Sequence, residues 1–417
     1  MKGYNYIRYS YQYYQYRPLS HSSMNNLQKR NRVQSIDLLR GFVMIVMALD
    51  HCRDYFHIGV GLDQDPLDLS TTTPFLFFTR WITNFCAPVF VFLSGTGIFL
   101  YGSKGKTKKE VALFLFTRGL WLIAVEIFII LPLWNFYFSL IYLQVIWAIG
   151  ISMVILSVLQ FLPYKILLLT GLAIVFGHNL LDPITAGDQF SFKSLVWSLV
   201  HQQNSFIVNK NFMIAIQYPF LPWLGLMIVG YCTGKLYLTE VSSGYRRKIL
   251  RMAGTLSIIG FIIIRWTNVY GDMHTWSVQK NPVYTLLDFI KVTKYPPSLL
   301  FMLITIGPAL IFLSYAENIK NSVTEKIVVF GKTPFFYYIL HVIVIHSLSW
   351  LTFFVTGHGW KDLDFDHFRD GSLPYGAGYP LWTVYAAWIA VIVILYFPCR
   401  WYSKYKETHK HWWLSYI

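Results

Sequence analysis

Charged residues in this chain are gathered into short runs separated by apolar stretches of roughly twenty residues, the length that crosses a hydrocarbon core about 30 Å thick. Ten such stretches can be marked, near 37–55, 79–101, 111–132, 137–160, 165–183, 218–236, 250–267, 297–315, 329–354 and 378–399. Within lipid a backbone must satisfy its own polar groups, which helices do. The pattern therefore predicts an all-α, polytopic integral membrane bundle of about ten transmembrane helices. A soluble core of this size would need a polar exterior. Only 13% of the 417 residues are charged and 55% are hydrophobic, whereas soluble proteins carry roughly 25% charged residues.

The placement of charge gives an orientation. Lys104, Lys106, Lys108 and Lys109 follow the second stretch, Arg246, Arg247, Lys248 and Arg251 the sixth, and Arg400, Lys404, Lys406 and Lys410 the tenth, while Lys320 and Lys326 precede the ninth. With ten crossings these fall on one side, together with the basic Lys29, Arg30 and Arg32. The other side holds Asp63, Asp65, Asp68, Asp182, Asp188, Asp272, Asp362, Asp364, Asp366 and Asp370. Lysine and arginine mark the cytoplasmic face, so both termini are expected there. The net charge of +15 and pI near 9.5 then reflect contact with bilayer headgroups, not nucleic acid. The longer loops, 56–78, 184–217, 268–296 and 355–377, all fall outside.

Residues 1–34 form a basic, Tyr-rich segment expected to be unstructured or interfacial, without the apolar core of a signal peptide, and Met24 offers an alternative start. The transmembrane domain spans 35–400, and 401–417 reads as an amphipathic cytoplasmic tail. Cys52, Cys86, Cys232 and Cys399 are too scattered for a disulfide framework or a zinc motif.

The first stretch reads SIDLLRGFVMIVMALDHCRDYFH. Ionisable groups inside a membrane are costly and mark function by default. Arg40 lies near one end, and Asp50, His51, Arg53 and Asp54 cluster near the other. Eleven helical residues make three turns plus about 20°, so Arg40 and His51 share a face, about 16 Å apart along the axis. That line suits a long ligand with an anionic end and a reactive end, such as acyl-CoA. His51 is placed as general base or acyl acceptor. Asp50 or Asp54 would orient it, and Asp50 can alternatively pair with Arg53 at i, i+3. Snorkelling of Arg40 and an interfacial charge cluster are the structural alternatives.

Other positions are candidates of narrower scope. His341 and His346, five apart, point about 140° from each other, which argues against a shared metal. His341 is expected to face the bundle interior as a hydrogen-bonding or substrate-contacting group. Lys294 precedes the Pro296–Pro297 pair and can hold an anionic group of a substrate, while the prolines start a helix. Gly95, Thr96 and Gly97 are expected to permit close helix packing. Trp134, Trp223 and Trp266 read as interfacial anchors, and Trp147 as packed in the bundle.

Several stretches resemble the bacterial branch of the heparan-alpha-glucosaminide N-acetyltransferase catalytic-domain family, within the transmembrane acyltransferase superfamily. They are SIDLLRGFVMIVMALDHCRDYF, TRWITNFCAPVFVFLSGTGIFL, QVIWAIGISMVIL, YPFLPWLGLMIVGYCTGKLY, KVTKYPPSLLFMLITIGPAL and FGKTPFFYYILHVIVIH. The resemblance implies a membrane-bound acyltransferase of the bacterial inner membrane. It would move an acetyl group from cytoplasmic acetyl-CoA to a glycan or amino-sugar acceptor outside, with no metal. Related O-acyltransferases use an arginine, ten residues and a histidine, a spacing matched by Arg40 and His51. The lysosomal member has asparagine at the His51 position and a later essential histidine, which makes His57 the second candidate. Arg40 and Arg53 are the expected acyl-CoA contacts. A transporter or flippase without chemistry is the alternative, although no internal repeat supports it. Homo-oligomerisation is left open.

Overall fold

Helices begin where the sequence supplies caps. Thr107 accepts from the Glu110 amide while the Glu110 carboxylate reaches back to the Thr107 amide, a reciprocal pair that starts Lys108–Val125. Thr73, followed by Pro74, caps Pro74–Trp81, and Ser298 caps Leu299–Ala316. The computed structural model describes residues 33–59, 64–135, 140–187, 189–209, 212–362, 378–409 and 411–415. The Tyr-rich start with Met24, Lys29, Arg30 and Arg32 lies outside these residues, as do Asp63, Asp188, Asp364, Asp366, Asp370 and Lys410. The chain divides into two units, Met1–Val33 and Gln34–Ile417.

The second unit opens with α1, Gln34–Phe56. Next come α2, Pro74–Trp81, joined through a 3-10 turn to α3, Cys86–Gly102, then α4, Lys108–Val125, running through a π-helical turn into α5, Leu131–Asn135. After β1, Leu140–Leu143, come α6, Val145–Leu159, α7, Tyr164–Gly177, and α8, Phe192–Val200. β2, Asn204–Asn209, and β3, Phe212–Ile216, lead to α9, Phe220–Thr233, and α10, Ser243–Thr267. The remainder is α11, Pro282–Ile290, α12, Leu299–Ala316, α13, Ser322–Lys332, α14, Pro334–Val355, and α15, Leu381–Thr408.

Every expected stretch contains a helix. Among the described residues, seven helical runs are long and apolar enough to cross a membrane: Pro74–Gly102, Lys108–Trp134, Tyr164–Leu181, Ser243–Thr267, Leu299–Ala316, Pro334–Val355 and Leu381–Thr408. Helix α1 is as long but carries Asp37, Arg40, Asp50, Arg53 and Asp54. The fourth stretch differs from expectation: its start is strand β1, and helix α6 begins only at Val145. The ninth is cut at Thr333–Pro334, where proline removes a helical donor.

Helix α1 lies at the centre of the site's framework. It runs parallel to α14: the His51 ring lies 5.1 Å from that of His341, and further along both helices Ser349 Oγ donates to the Tyr55 carbonyl (3.0 Å), while the Arg40 guanidinium donates to the Gly331 carbonyl (3.2 Å) near the end of α13. Helix α15 runs the other way, with the Tyr379 amide on the Phe56 carbonyl (2.7 Å) and Glu407 on Lys332 (2.9 Å). Helices α3 and α9 cross where Gly95 meets Gly230. A Cβ on Gly95 would stand 2.1 Å from the Met227 carbonyl oxygen, so only glycine fits. Thr96 Oγ1 adds a bond to the Gly230 carbonyl (2.9 Å). Gly97, expected to help, faces open space.

The three strands were not expected in an all-helical chain. β3 pairs parallel to β1 and antiparallel to β2, with Leu143 opposite Ile216. Leu143, Phe206 and Ile216 form one buried cluster beneath this sheet. Burying each contributes roughly 1.5–3 kcal/mol. The Leu143 carbonyl accepts from both the Gln217 and Tyr218 amides (3.1 and 3.2 Å), which fixes those two side chains at the start of α9. From the last turn of α10, the buried Arg265 guanidinium donates to the carbonyls of Phe289 (2.9 Å), Asp288 (2.9 Å) and Lys291 (2.7 Å), and also to that of His274, all on the chain that follows. The Asp288 carboxyl is favoured neutral by burial. Hydrogen bonds from Ser277, His274 and Gln279 outweigh this and hold it below the usual carboxylate range.

Candidate functional site

The end of α1 carries four ionisable residues in five positions because one helical turn presents them together. Arg53 Nη2 lies 3.0 Å from Asp50 Oδ1 and also contacts Asp54 Oδ1. Arg80, on α2, reaches across with Nη1 to Asp50 Oδ2 (3.0 Å) and Thr83 Oγ1 (2.9 Å). Both oxygens of Asp50 thus face guanidinium groups. Asp54, less buried, keeps Oδ2 3.8 Å from His51 Nδ1. That separation exceeds a direct hydrogen bond and matches an ion pair or a water bridge.

The His51 ring is held by aromatic neighbours. Trp134 meets it edge-on with centroids 4.6 Å apart, and the His341 ring is 5.1 Å away. His341 is fully buried. Its Nδ1 contacts the Tyr338 carbonyl (2.5 Å) and the Tyr337 carbonyl (3.2 Å). Carbonyls only accept, so Nδ1 carries the proton and Nε2 is the lone-pair nitrogen of the neutral ring. His341 Nε2 is buried without a partner. His346 lies one layer further along α14, 4.9 Å from the Tyr55 ring, and does not share a centre with His341.

Around His51 opens a cavity of about 410 Å³, within the range typical of ligand sites. Asp50, His51, Arg53 and Asp54 line it from α1, and Arg80, Thr83 and Phe90 from the second span. Trp134, Tyr142 and Gln144 close one side, Gln217 and Tyr218 another, and Lys294, Tyr295 and Tyr338 the remainder. Lys294 and Tyr295 arrive on the segment just before α12, with the ammonium 5.1 Å from the Tyr295 ring centroid. The site is thus rich in aromatic faces and in both signs of charge. Such a lining can stack a ring, accept from hydroxyls and an amine, and hold a carboxylate or phosphate.

Two candidates lie apart from the cavity. Arg40 does not line it: its guanidinium donates to Asp37 Oδ1 (3.0 Å) and to the Gly331 carbonyl. On the same face between Arg40 and His51 stand Met44, 1% exposed, and Met47, which lines the cavity floor. His57 follows the helix, and its Nδ1 accepts from the Gly59 amide (3.1 Å). Burial and the nearby Arg53 lower its pKa below the usual histidine value.

Several residues escaped the sequence reading. Trp134 and Trp223, expected at interfaces, are buried, Trp134 against His51 and Trp223 against Tyr218. Each closes the bundle interior because its indole faces a neighbouring aromatic ring and not headgroups. Arg80, Tyr218 and Tyr295 reach the site from other elements. Glu126, a buried carboxylate in an apolar run, accepts from the Trp147 amide (3.1 Å) at the start of α6. An acceptor there satisfies an amide at the helix start that has no partner within the helix. A lone charge within an apolar stretch was the available signal for both Arg80 and Glu126.

No curated protein matches this chain. Among protein families, residues 32–270 match the family described as heparan-alpha-glucosaminide N-acetyltransferase, catalytic. This match spans more than half of the chain and includes α1 with its ionisable cluster as well as Arg80, Trp134 and Tyr218. The chain belongs to the heparan-alpha-glucosaminide N-acetyltransferase catalytic family.

Proposed function

We propose that this chain transfers an acetyl group from acetyl-CoA to the amine of an amino sugar, with donor and acceptor on opposite sides of a membrane. Family membership supports the reaction class. The observation that carries the site is His51, standing in a polar and aromatic cavity with Asp54 3.8 Å from its Nδ1. Parallel α1 and α14, with α15 antiparallel, support an even number of crossings, and hence ten spans with both ends of the bundle in the cytoplasm beside the lysine clusters.

The chemistry balances within this arrangement. The acceptor nitrogen attacks the thioester carbonyl, the C–N bond forms, and the C–S bond breaks. His51 takes the nitrogen's proton and returns it to the departing thiolate, giving free CoA thiol. Asp54 steadies the imidazolium that exists between those steps. An acyl carrier role for His51 would split the same transfer into two steps and leave an acetyl-imidazole in the absence of acceptor. Asp50, engaged by Arg53 and Arg80, holds those guanidiniums in place. Lys294 faces an anionic substituent of the acceptor, and His341 supports the His51 ring from below. His57, outside the cavity lining, remains the second histidine in order. Arg40 anchors the phosphorylated end of the donor about 16 Å away along α1. The thioester arm then passes Met44 and Met47, whose flexible thioether chains can yield.

Purified protein with labelled acetyl-CoA and glucosamine tests this reading. Transfer of label to the sugar nitrogen is expected. A protein that binds no acetyl-CoA by calorimetry but moves glycan across vesicles would instead be a carrier.

A further inference from the structure

Away from the cavity, the end of α7 meets the end of α8. His178 opens the 3-10 turn that finishes α7, Asp182 closes that turn, and His201 caps α8. One ligand atom from each of these three residues lies within 4.8 Å of the others. His201 Nε2 is 2.9 Å from Asp182 Oδ1, and the two imidazole rings are edge-on with centroids 5.6 Å apart. Both histidines are 2% exposed. Neither ring nitrogen of His178 has a hydrogen-bond partner, nor has His201 Nδ1. Buried polar atoms are normally paired, because stranding each one costs free energy. Three stranded nitrogens beside one carboxylate are not explained by the protein's own hydrogen bonds.

We propose that His178, Asp182 and His201 bind a zinc ion. Two imidazoles and a carboxylate suit a borderline transition ion, whereas calcium and magnesium call for an oxygen shell. Zinc bonds of 2.0–2.2 Å set tetrahedral ligands about 3.3 Å apart. The Asp182–His201 contact is already near that spacing, and the widest pair closes by about 1.5 Å at most. The carboxylate is oriented from behind: Asp182 Oδ2 accepts from Asn179 Nδ2 (2.8 Å), and Asn179 Oδ1 accepts from the Leu299 amide (2.9 Å). Outer partners of this kind fix a ligand's direction. Water completes the fourth position. The ion would tie α7 to α8, and β2 starts three residues after His201. The role is structural and independent of the acetyl transfer proposed above.

Full-length protein without a polyhistidine tag, purified in detergent and incubated with zinc, then dialysed, should retain one equivalent of zinc by mass spectrometry. Cobalt(II) in its place should give the visible absorption of a tetrahedral nitrogen–oxygen site. Asp182→Asn and His201→Gln should each lose the bound metal. Chelation should lower the wild-type thermal midpoint, with recovery on adding zinc but not magnesium. Wild-type protein that retains less than about a tenth of an equivalent and shows no cobalt spectrum would overturn the proposal. So would metal content unchanged in both variants.

Discussion

His51 stands 3.8 Å from Asp54, while Asp50, its sequence neighbour, is turned to Arg53 and Arg80. Sequence spacing alone left both carboxylates open as its partner, because the two flank the ring on one helix. The choice depended on Arg80, which arrives from another span. Removing a positioned proton acceptor costs about 10²–10⁴ in rate. His51→Ala should therefore lower kcat by at least about a hundredfold, whereas His358→Ala should leave it unchanged. His358 is exposed and stacks on Phe353 at 4.5 Å, so a steady-state assay of both variants separates site from surface. Asp54→Asn should reduce kcat about tenfold with little change in KM, since in the proposed transfer it acts through the imidazolium and not through donor binding. A selective rise in KM instead would assign Asp54 to substrate binding.

At the scale of elements, the helices were legible because a run of about twenty apolar residues has few other stable fates. The strands were not. β1 spans Leu140–Leu143, at the edge of an apolar run that reads as helix, and its partner β3 is about seventy residues away. Periodicity over four residues cannot separate strand from buried helix. The small residues of α3 were likewise legible as a packing device, but not which of them makes contact. That depends on α9. Gly95→Ala should disrupt the α3–α9 crossing and cost about 3 kcal/mol or more, because backbone cannot move aside as a side chain can. Gly97→Ala should be tolerated. Thermal unfolding in detergent distinguishes them, and equal midpoints would contradict a close contact at Gly95.

Across the whole molecule, the first helix carries much of the site, and the sequence exposed that because its ionisable residues break an apolar pattern. Trp134, Tyr218 and the adjacent pair Lys294 and Tyr295 come from three separate parts of the chain. No local rule links them, so only tertiary packing reveals the cavity they close. The charge asymmetry of the loops supports the proposed direction, with the donor taken at the lysine-rich face and the acceptor at the aspartate-rich one. The most direct test is sided transfer. Wild-type protein is placed in sealed vesicles and sorted for one orientation, with glucosamine enclosed and labelled acetyl-CoA added at the lysine-rich face. Labelled N-acetylglucosamine should accumulate inside for wild type and not for His51→Ala. Equal accumulation in both, or product formed only when donor and sugar share one side, would contradict transfer across the bilayer through His51.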